Sequence, residues 1–493
     1  MREDTSPTDE PARDASVAEG AVEGEDSTRK VGSDALVVGL GYLASFAYPL
    51  VSLPFLTRVV GVVPLGHLMF ALAVLQVVIY VIDFGFGMSA LRRIAVAGSR
   101  EERSLVVVST LAAKALLWVV SGGVLIGIVL LAPQLREYWA MYLVGLLAIG
   151  VGAMYPTWLL QGTGRVKAFA LLTATSRLVA LVFLVLTVRG PEDLVLAMLW
   201  QQLPLALSAL TSWLMIWRVW HSVQRVPLRF ADVTEALRDS FPLFVSNASG
   251  IILGSSNSVV LGVVATPTQV AFFGAAERFS NAVRGVMRGV VDVMLPRMTR
   301  EGEHAAHLQR VITIGLIGIY ALAGLALILT APWFVPWYLG AEMAPAVPVT
   351  QLLGVALAFV GLTQSLQLRA TAAHRFRQVA RISVLGAIVH LALVLPAGWL
   401  WGAVGAGIAV AVSDGLLAAM FVVDHLMLRR RGGEGAGDDP EGGEDDPVMP
   451  TRNPDAADPL HGRRRDEGVP VSSRAPTAGG RHRADIGPLP LDT

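Results

Sequence analysis

The chain has 493 residues, of which 54% are apolar and 16% charged, against about 45 to 50% and about 25% in ordinary soluble proteins. So much apolar surface excludes a water-soluble globular fold. Formal net charge is zero and cysteine is absent, which removes disulfides, thiolate metal sites and thiol catalysis and provides no basic balance pointing to nucleic acid.

In chain order, residues 1–30 carry nine acids and four bases, unlike the short basic start of a signal peptide. The first apolar run is therefore expected to stay as a membrane helix. A crossing needs roughly 20 apolar residues, and runs of that kind fall near 35–56, 65–90, 104–131, 138–161, 168–188 and 194–217. After a basic stretch they resume near 241–264, 270–295, 311–330, 347–367, 382–400 and 403–428. The predicted architecture is all-α and polytopic, with about twelve transmembrane helices in two six-helix lobes.

The corresponding segments are an acidic cytoplasmic tail over 1–32, an amino-terminal lobe over 33–219, a basic cytoplasmic connector over 220–240, a carboxy-terminal lobe over 241–428 and a cytoplasmic tail over 429–493. Both tails read as disordered, because they hold too few large apolar side chains to offset the entropy of folding. Every second loop is basic: one set carries twenty-two Arg and Lys residues and the other only Arg58, Arg136 and Arg189. Positive charge marks cytoplasmic loops, so both termini are expected inside the cell membrane. Val59 to Pro64 resembles Leu261 to Pro267 at a fixed offset, consistent with an internal repeat, and repeated halves meeting at a central site are a common transporter plan.

Two stretches carry a resemblance. The first is Leu53-Pro54-Phe55-Leu56-Thr57-Arg58-Val59-Val60-Gly61 with Asp83-Phe84-Gly85-Phe86-Gly87 and Ser89-Ala90-Leu91-Arg92; the second is Trp158-Leu159-Leu160-Gln161-Gly162. The chain resembles bacterial oligosaccharide flippases of the polysaccharide-biosynthesis family, in the multidrug/oligosaccharidyl-lipid/polysaccharide exporter superfamily. That resemblance covers about residues 33–430. It implies two helical bundles around a central cavity, alternating access, and movement of an undecaprenyl-pyrophosphate-linked sugar from the cytoplasmic to the outer leaflet. Gly61 and Gly85 suit turns and close helix contacts, and Pro49 and Pro54 favour a bend in the first helix.

Ionisable side chains at membrane depth are costly and mark the site candidates. Lys114, Arg177, Glu277 and Asp414 fall roughly 10 to 17 Å from their helix starts, while Asp83 sits nearer the cytoplasmic end, where capping or pairing with an arginine would also explain it. Glu277, Asn281, Arg284, Arg288 and Asp292 share one helical face, opposite Phe279, Val283, Val286, Val290 and Met294. Such a stripe suits a cavity lining, with arginine forks suited to pyrophosphate oxygens. The substrate-binding candidates are thus Lys114, Arg177, Glu277, Asn281, Arg284 and Arg288, and the ion-coupling candidates Asp83, Glu277 and Asp414. Salt bridges from Lys114 or Arg177 to Glu277 or Asp414 are the structural alternative. Trp158 and Gln161 suit either sugar contact or, for the tryptophan, an interfacial anchor.

No glycine-rich phosphate loop is present, and no catalytic, metal or cofactor site is expected. External breaks are short, with only 331–346 longer, and that stretch holds one acid, Glu342, and neither a base nor a histidine. A membrane enzyme is therefore disfavoured. A lipid-linked oligosaccharide flippase leads, with the lipid-linked oligosaccharide, membrane lipids and glycan-biosynthesis enzymes as the expected partners; cation-coupled export of drugs or metabolites and a transport-inactive scaffold are the alternatives. Because native cysteine is absent, orientation is directly testable: Thr266→Cys and Met343→Cys are expected to label from outside intact cells with an impermeant reagent, and Val223→Cys and Ala373→Cys to stay protected. The reverse pattern would overturn the orientation.

Overall fold

The computed structural model describes residues 47–163, 166–220, 223–298, 303–373 and 375–434, and all regular elements among them are helical. Residues 33–46 of the first predicted span and most of both predicted tails lie outside these described residues. The principal helices are α1 (Ala47–Val60), α2 (Val62–Asp83), α3 (Phe86–Val96) and α4 (Arg100–Leu131). After the single turn α5 (Pro133–Arg136) come α6 (Trp139–Ala153), α7 (Thr157–Gly162), α8 (Val166–Thr187) and α9 (Leu194–Met215). The remainder are α10 (Phe230–Ser255), α11 (Asn257–Val264), α12 (Pro267–Met298), α13 (Glu303–Leu339), α14 (Ala346–Ala372) and α15 (Phe376–Glu434).

Helix occupies the described part of every one of the twelve predicted segments. Among the described residues, eight candidate spans are long and apolar enough to cross a membrane. One of these is α15, which is two helices joined at Gly402, where φ is 59° and ψ −136°. That left-handed backbone suits glycine. Gln269 Oε1 accepts from the next amide, Ala403 N–H, at 2.8 Å. The arms run back antiparallel: Arg375 forks onto Asp424 at 2.9 and 3.0 Å, and Gly386 lies against Leu417.

Large apolar side chains face outward in stripes, such as Val120, Val124, Ile128 and Leu131 on α4 and Ile314, Leu322, Leu325 and Leu329 on α13. Stripes of that length make hydrocarbon the solvent of the outer surface; this is a multi-pass membrane protein. Exposed Trp139, Trp333, Trp337, Trp399 and Trp401 cluster at the arginine-poor end, as interfacial aromatics do.

Prolines set the internal geometry. A proline inside a helix leaves the carbonyl four residues earlier without its N–H donor, and in lipid that acceptor must find another. Pro54 frees Leu50 O, which accepts from Tyr338 Oη on α13 at 3.0 Å. Pro204 frees Trp200 O, which accepts from Tyr48 Oη on α1 at 2.6 Å. Pro332 frees Ile328 O, which accepts from Gln351 Nε2 on α14 at 3.1 Å. In each case a local defect becomes a tie between helices. With those ties α13 continues through Leu339, so the longest predicted external break is largely helix and the loop shrinks to Gly340–Pro345. The prolines read as breakers in sequence because their partners are distant in the chain.

A second difference concerns the predicted connector. Helix α10 starts at Phe230, within it, because the Asp232 carboxylate accepts from Arg229 N–H at 2.8 Å and caps the first turn. Its first turns pack on α3 and α4: Ser240 Oγ is 2.6 Å from Ser89 Oγ, and Val233 and Ala236 bury against Phe86 and Ala113. The second half of the predicted connector, Arg238 included, is thus part of a helix that reaches the amino-terminal helices, and Arg225 and Arg229 precede it.

The sequence repeat also acquires a geometry. Pro64 and Pro267 lie in the first turns of α2 and α12, and those two helices pack together with Gly66 directly against the Pro267 backbone, while Gly262 of α11 lies against Phe70 of α2. Absence of a side chain at Gly66 lets the backbones approach.

Removing the Tyr338 hydroxyl leaves Leu50 O without its donor, an omission worth about 1 to 3 kcal/mol. Tyr338→Phe is therefore expected to lower the thermal unfolding midpoint in detergent, and the loss should shrink when Pro54→Ala restores the missing N–H. An equal loss in both backgrounds would show that the phenol acts elsewhere.

Candidate functional site

Helices α10 and α12 are absent from the eight apolar candidates. The reason is polarity: α12 carries Glu277, Arg278, Arg284, Arg288 and Asp292 along its length. Such a helix is stable in a bilayer only where protein or water meets its charges.

Glu277 faces α11. Ser258 Oγ donates to Glu277 Oε2 at 2.8 Å and Asn257 Nδ2 to Oε1 at 3.3 Å, both donors standing on the first turn of α11. Behind Asn257 the chain of contacts continues: its Oδ1 lies 2.8 Å from His390 Nε2, and His390 Nδ1 lies 2.7 Å from Ser413 Oγ. Next to Ser413, Asp414 takes a hydrogen bond from Arg284 Nη2 at 3.1 Å. The predicted polar stripe is therefore divided. Glu277 and Arg284 each meet partners on α11 or the second arm of α15, whereas Asn281 is exposed. The Arg288 side chain lies outside the described residues.

Arg278, one step round the helix from Glu277, points elsewhere. Its Nη1 donates to Pro49 O on α1 at 3.1 Å. Arg177, on α8, donates to Thr173 O of its own helix at 3.4 Å. Both charges lie within electrostatic range of the buried Tyr48 phenol without a hydrogen bond to it among the described residues, one guanidinium from each predicted half. Neither has a carboxylate within salt-bridge distance among the described residues.

Lys114 differs. It is 4% exposed and donates to Asp83 Oδ1 at 3.0 Å and to Ala153 O, at the end of α6, at 3.3 Å. The sequence made Lys114 a substrate-binding and Asp83 an ion-coupling candidate, with an arginine as the alternative partner for Asp83 and Glu277 or Asp414 for Lys114; the two pair with each other within the amino-terminal helices. Trp158 is fully buried among Ala90, Ile94, Val107 and Leu159, which places it in the core rather than at an interface or against a sugar.

At the arginine-poor end, Arg58 Nη2 donates to the carbonyls of Trp337 and Tyr338, both at 3.0 Å. These are the last carbonyls of α13, which lack intrahelical donors and carry the negative end of the helix dipole. Together with the Gly66 contact to Pro267, this ties α1 and α2 to α12 and α13.

A family model described as "Polysaccharide biosynthesis protein" matches residues 31–301, more than half of the chain. The chain belongs to the polysaccharide biosynthesis protein family. Two relatives, each named "Putative O-antigen transporter", are similar over nearly their whole lengths. One, from Shigella dysenteriae, is 25% identical over 394 residues, covering 79% of this chain and 98% of the relative. The other, from Escherichia coli K12, is 23% identical over 406 residues, covering 80% and 96%.

Solved structures share the fold. The lipid II flippase MurJ in an inward closed conformation superposes with a TM-score of 0.60 at 14% identity, covering 80% of this chain and 86% of its own. An inward-facing multidrug resistance MATE transporter of the MOP superfamily gives 0.58 at 14% identity, covering 82% and 96%. The family suggested by the sequence motifs is thus the one found.

Within this family member Arg284 and Asp414 form a partly buried pair, the acid enclosed and the guanidinium part-exposed, and removing the guanidinium leaves the enclosed acid unpaired at a cost of at most about 3 to 5 kcal/mol. Arg284→Gln is expected to cut accumulation in the membrane and lower the unfolding midpoint, and Arg284→Met combined with Asp414→Leu to recover most of the loss. A well-accumulated, stable Arg284→Gln protein would instead make Arg284 a side chain free for other work.

Proposed function

We propose that the protein is a flippase that moves an undecaprenyl-pyrophosphate-linked oligosaccharide from the cytoplasmic to the outer leaflet by alternating access, for cell-surface polysaccharide or cell-wall synthesis. The observation that carries this reading is the pair Arg177 and Arg278, one from each predicted six-helix lobe. Each donates to a backbone carbonyl, both lie within electrostatic range of Tyr48, and neither has a carboxylate within salt-bridge distance among the described residues. Two such guanidiniums suit a diphosphate, which accepts forked, charge-assisted hydrogen bonds. The names of the two O-antigen transporter relatives agree with a lipid-linked glycan substrate.

In this reading Lys114 and Arg284 hold the lobes' internal charge balance through Asp83 and Asp414, and the substrate acts on the two arginines left over. The arginine-rich end faces the cytoplasm. Arg58 on the α13 carbonyls, with Gly66 against Pro267, then closes the outer end, leaving a substrate to enter from inside. Release to the outer leaflet requires those contacts to part. No bond is made or broken in such a cycle, so the protein is not an enzyme. A polar chain with this constellation suits an anionic lipid better than a cationic drug.

The test uses proteoliposomes holding the full chain and a fluorescent undecaprenyl-pyrophosphate-linked sugar. Arg177→Gln and Arg278→Gln are each expected to slow its translocation at least tenfold, about 1.4 kcal/mol in barrier, with protein accumulating normally. The corresponding lysine variants, which keep charge but lose the planar fork, should retain part of the rate. Unchanged translocation in both glutamine variants would remove the arginines from the mechanism.

A further inference from the structure

His390 is the most completely buried ionisable side chain of α15, with no exposed surface, and its two ring nitrogens are both engaged. The donors and acceptors around it can be counted. Asn257 spends its amide N–H on Glu277, so its Oδ1 faces the ring as an acceptor and Nε2 must carry a proton. On the other side, Ser413 Oγ lies 2.7 Å from Nδ1 and 3.0 Å from Val410 O, in position to donate to either. A hydroxyl has one proton. With a neutral ring it donates to Nδ1. With a doubly protonated ring Nδ1–H donates to Ser413 Oγ, and the hydroxyl turns to Val410 O. Both charge states of the ring therefore satisfy the same frame, separated by one hydroxyl rotation.

The surroundings also supply the opposite charge. From α11 the ring faces Asn257, whose amide links it to the Glu277 carboxylate on α12. From the second arm of α15 it faces Ser413, with Asp414 adjacent and already paired to Arg284. The Arg284 charge opposes a positive ring, as does burial. α10 between Phe241 and Ser255, and α14 between Ala346 and Gln367, contribute no titratable side chain. Glu277 is thus the carboxylate that a proton on His390 would answer, and the amide between them keeps the two from meeting directly.

We propose that His390 is a proton-binding site of the carboxy-terminal helices, read by Glu277 through the Asn257 amide, and that the proton is the coupling ion of the flippase. The coupling clause rests on the flippase reading; the site itself does not. Proton binding switches the network from a lone carboxylate held by two neutral donors to an imidazolium and a carboxylate bridged by one amide. It thereby changes the charge beside Arg278, which sits next to Glu277 on α12. A proton on the ring would strengthen the hold on Glu277 and leave Arg278 less attracted to it, and so freer for an anion.

The experiment is a histidine-selective isotope-labelled NMR titration of the purified full chain in lipid nanodiscs, with the His390 resonance assigned among nine histidines by its loss in His390→Gln. The expected result is a one-proton titration of that resonance between about pH 4 and 8. Glu277→Gln should weaken proton binding about tenfold, moving the midpoint down by about one unit. Asn257→Asp, which puts a carboxylate directly on the ring, should move it up and serves as the second variant where Glu277→Gln lowers stability. A resonance fixed in one neutral tautomer across that range, or a midpoint indifferent to both substitutions, would overturn the site. None of these readings involves lipid translocation, so the flippase proposal stands or falls separately.

Discussion

The constraint on which the structure depends is that a backbone carbonyl in hydrocarbon must keep a hydrogen-bond donor. Proline withdraws donors at chosen points, and the chain answers with side chains from other helices. Tyr338, Tyr48 and Gln351 each meet a carbonyl that a proline four residues on has freed. Without a strong hydrophobic force between helices in lipid, such ties are among the few directional links available. They place α1 against α9 and α13, and Pro49 of that same α1 offers Arg278 its carbonyl.

Charge is organised by the same scarcity. Lys114 with Asp83, and Arg284 with Asp414, neutralise one another at 3.0 and 3.1 Å, each pair inside its own run of helices. Arg278 and Arg177 instead rest on carbonyl oxygens, which solvate a guanidinium without cancelling its charge. The difference matters for any anion that enters: a paired arginine must first leave its acid, whereas a carbonyl-held one already presents net charge.

Much of this was legible in the sequence because membrane helices announce themselves by length and apolarity. The twelve runs, the paired prolines at 64 and 267, and the polarity of α12 were all visible. What sequence could not supply were partners. Asp83 and Lys114 are far apart in the chain, and nothing local distinguishes Lys114's acid from Glu277 or Asp414. Arg278 was passed over because it lies beside Glu277, off the face on which the polar residues recur, although its depth equals that of its neighbour. His390 sits in an apolar run, Ile388-Val389-His390-Leu391, and a histidine there signals little until Asn257 and Ser413 are seen beside it. The same rule explains why α13 runs through the stretch predicted as an external break: Gln351, which meets the carbonyl freed by Pro332, is on the following helix.

The reversal at Gly402 has a consequence for biogenesis. The two arms of α15 are joined by a single left-handed residue, with Gln269 satisfying the next amide, so there is no hydrophilic loop between them. A helical pair of this kind leaves the ribosome as one apolar hairpin and partitions sideways into the bilayer as a unit, with no polar segment to be drawn across. Its orientation then follows the charges at the open ends, Arg375 and Arg377 at the start of one arm and Arg429 to Arg431 near the end of the other. The last two crossings would thus inherit a single topological decision rather than two.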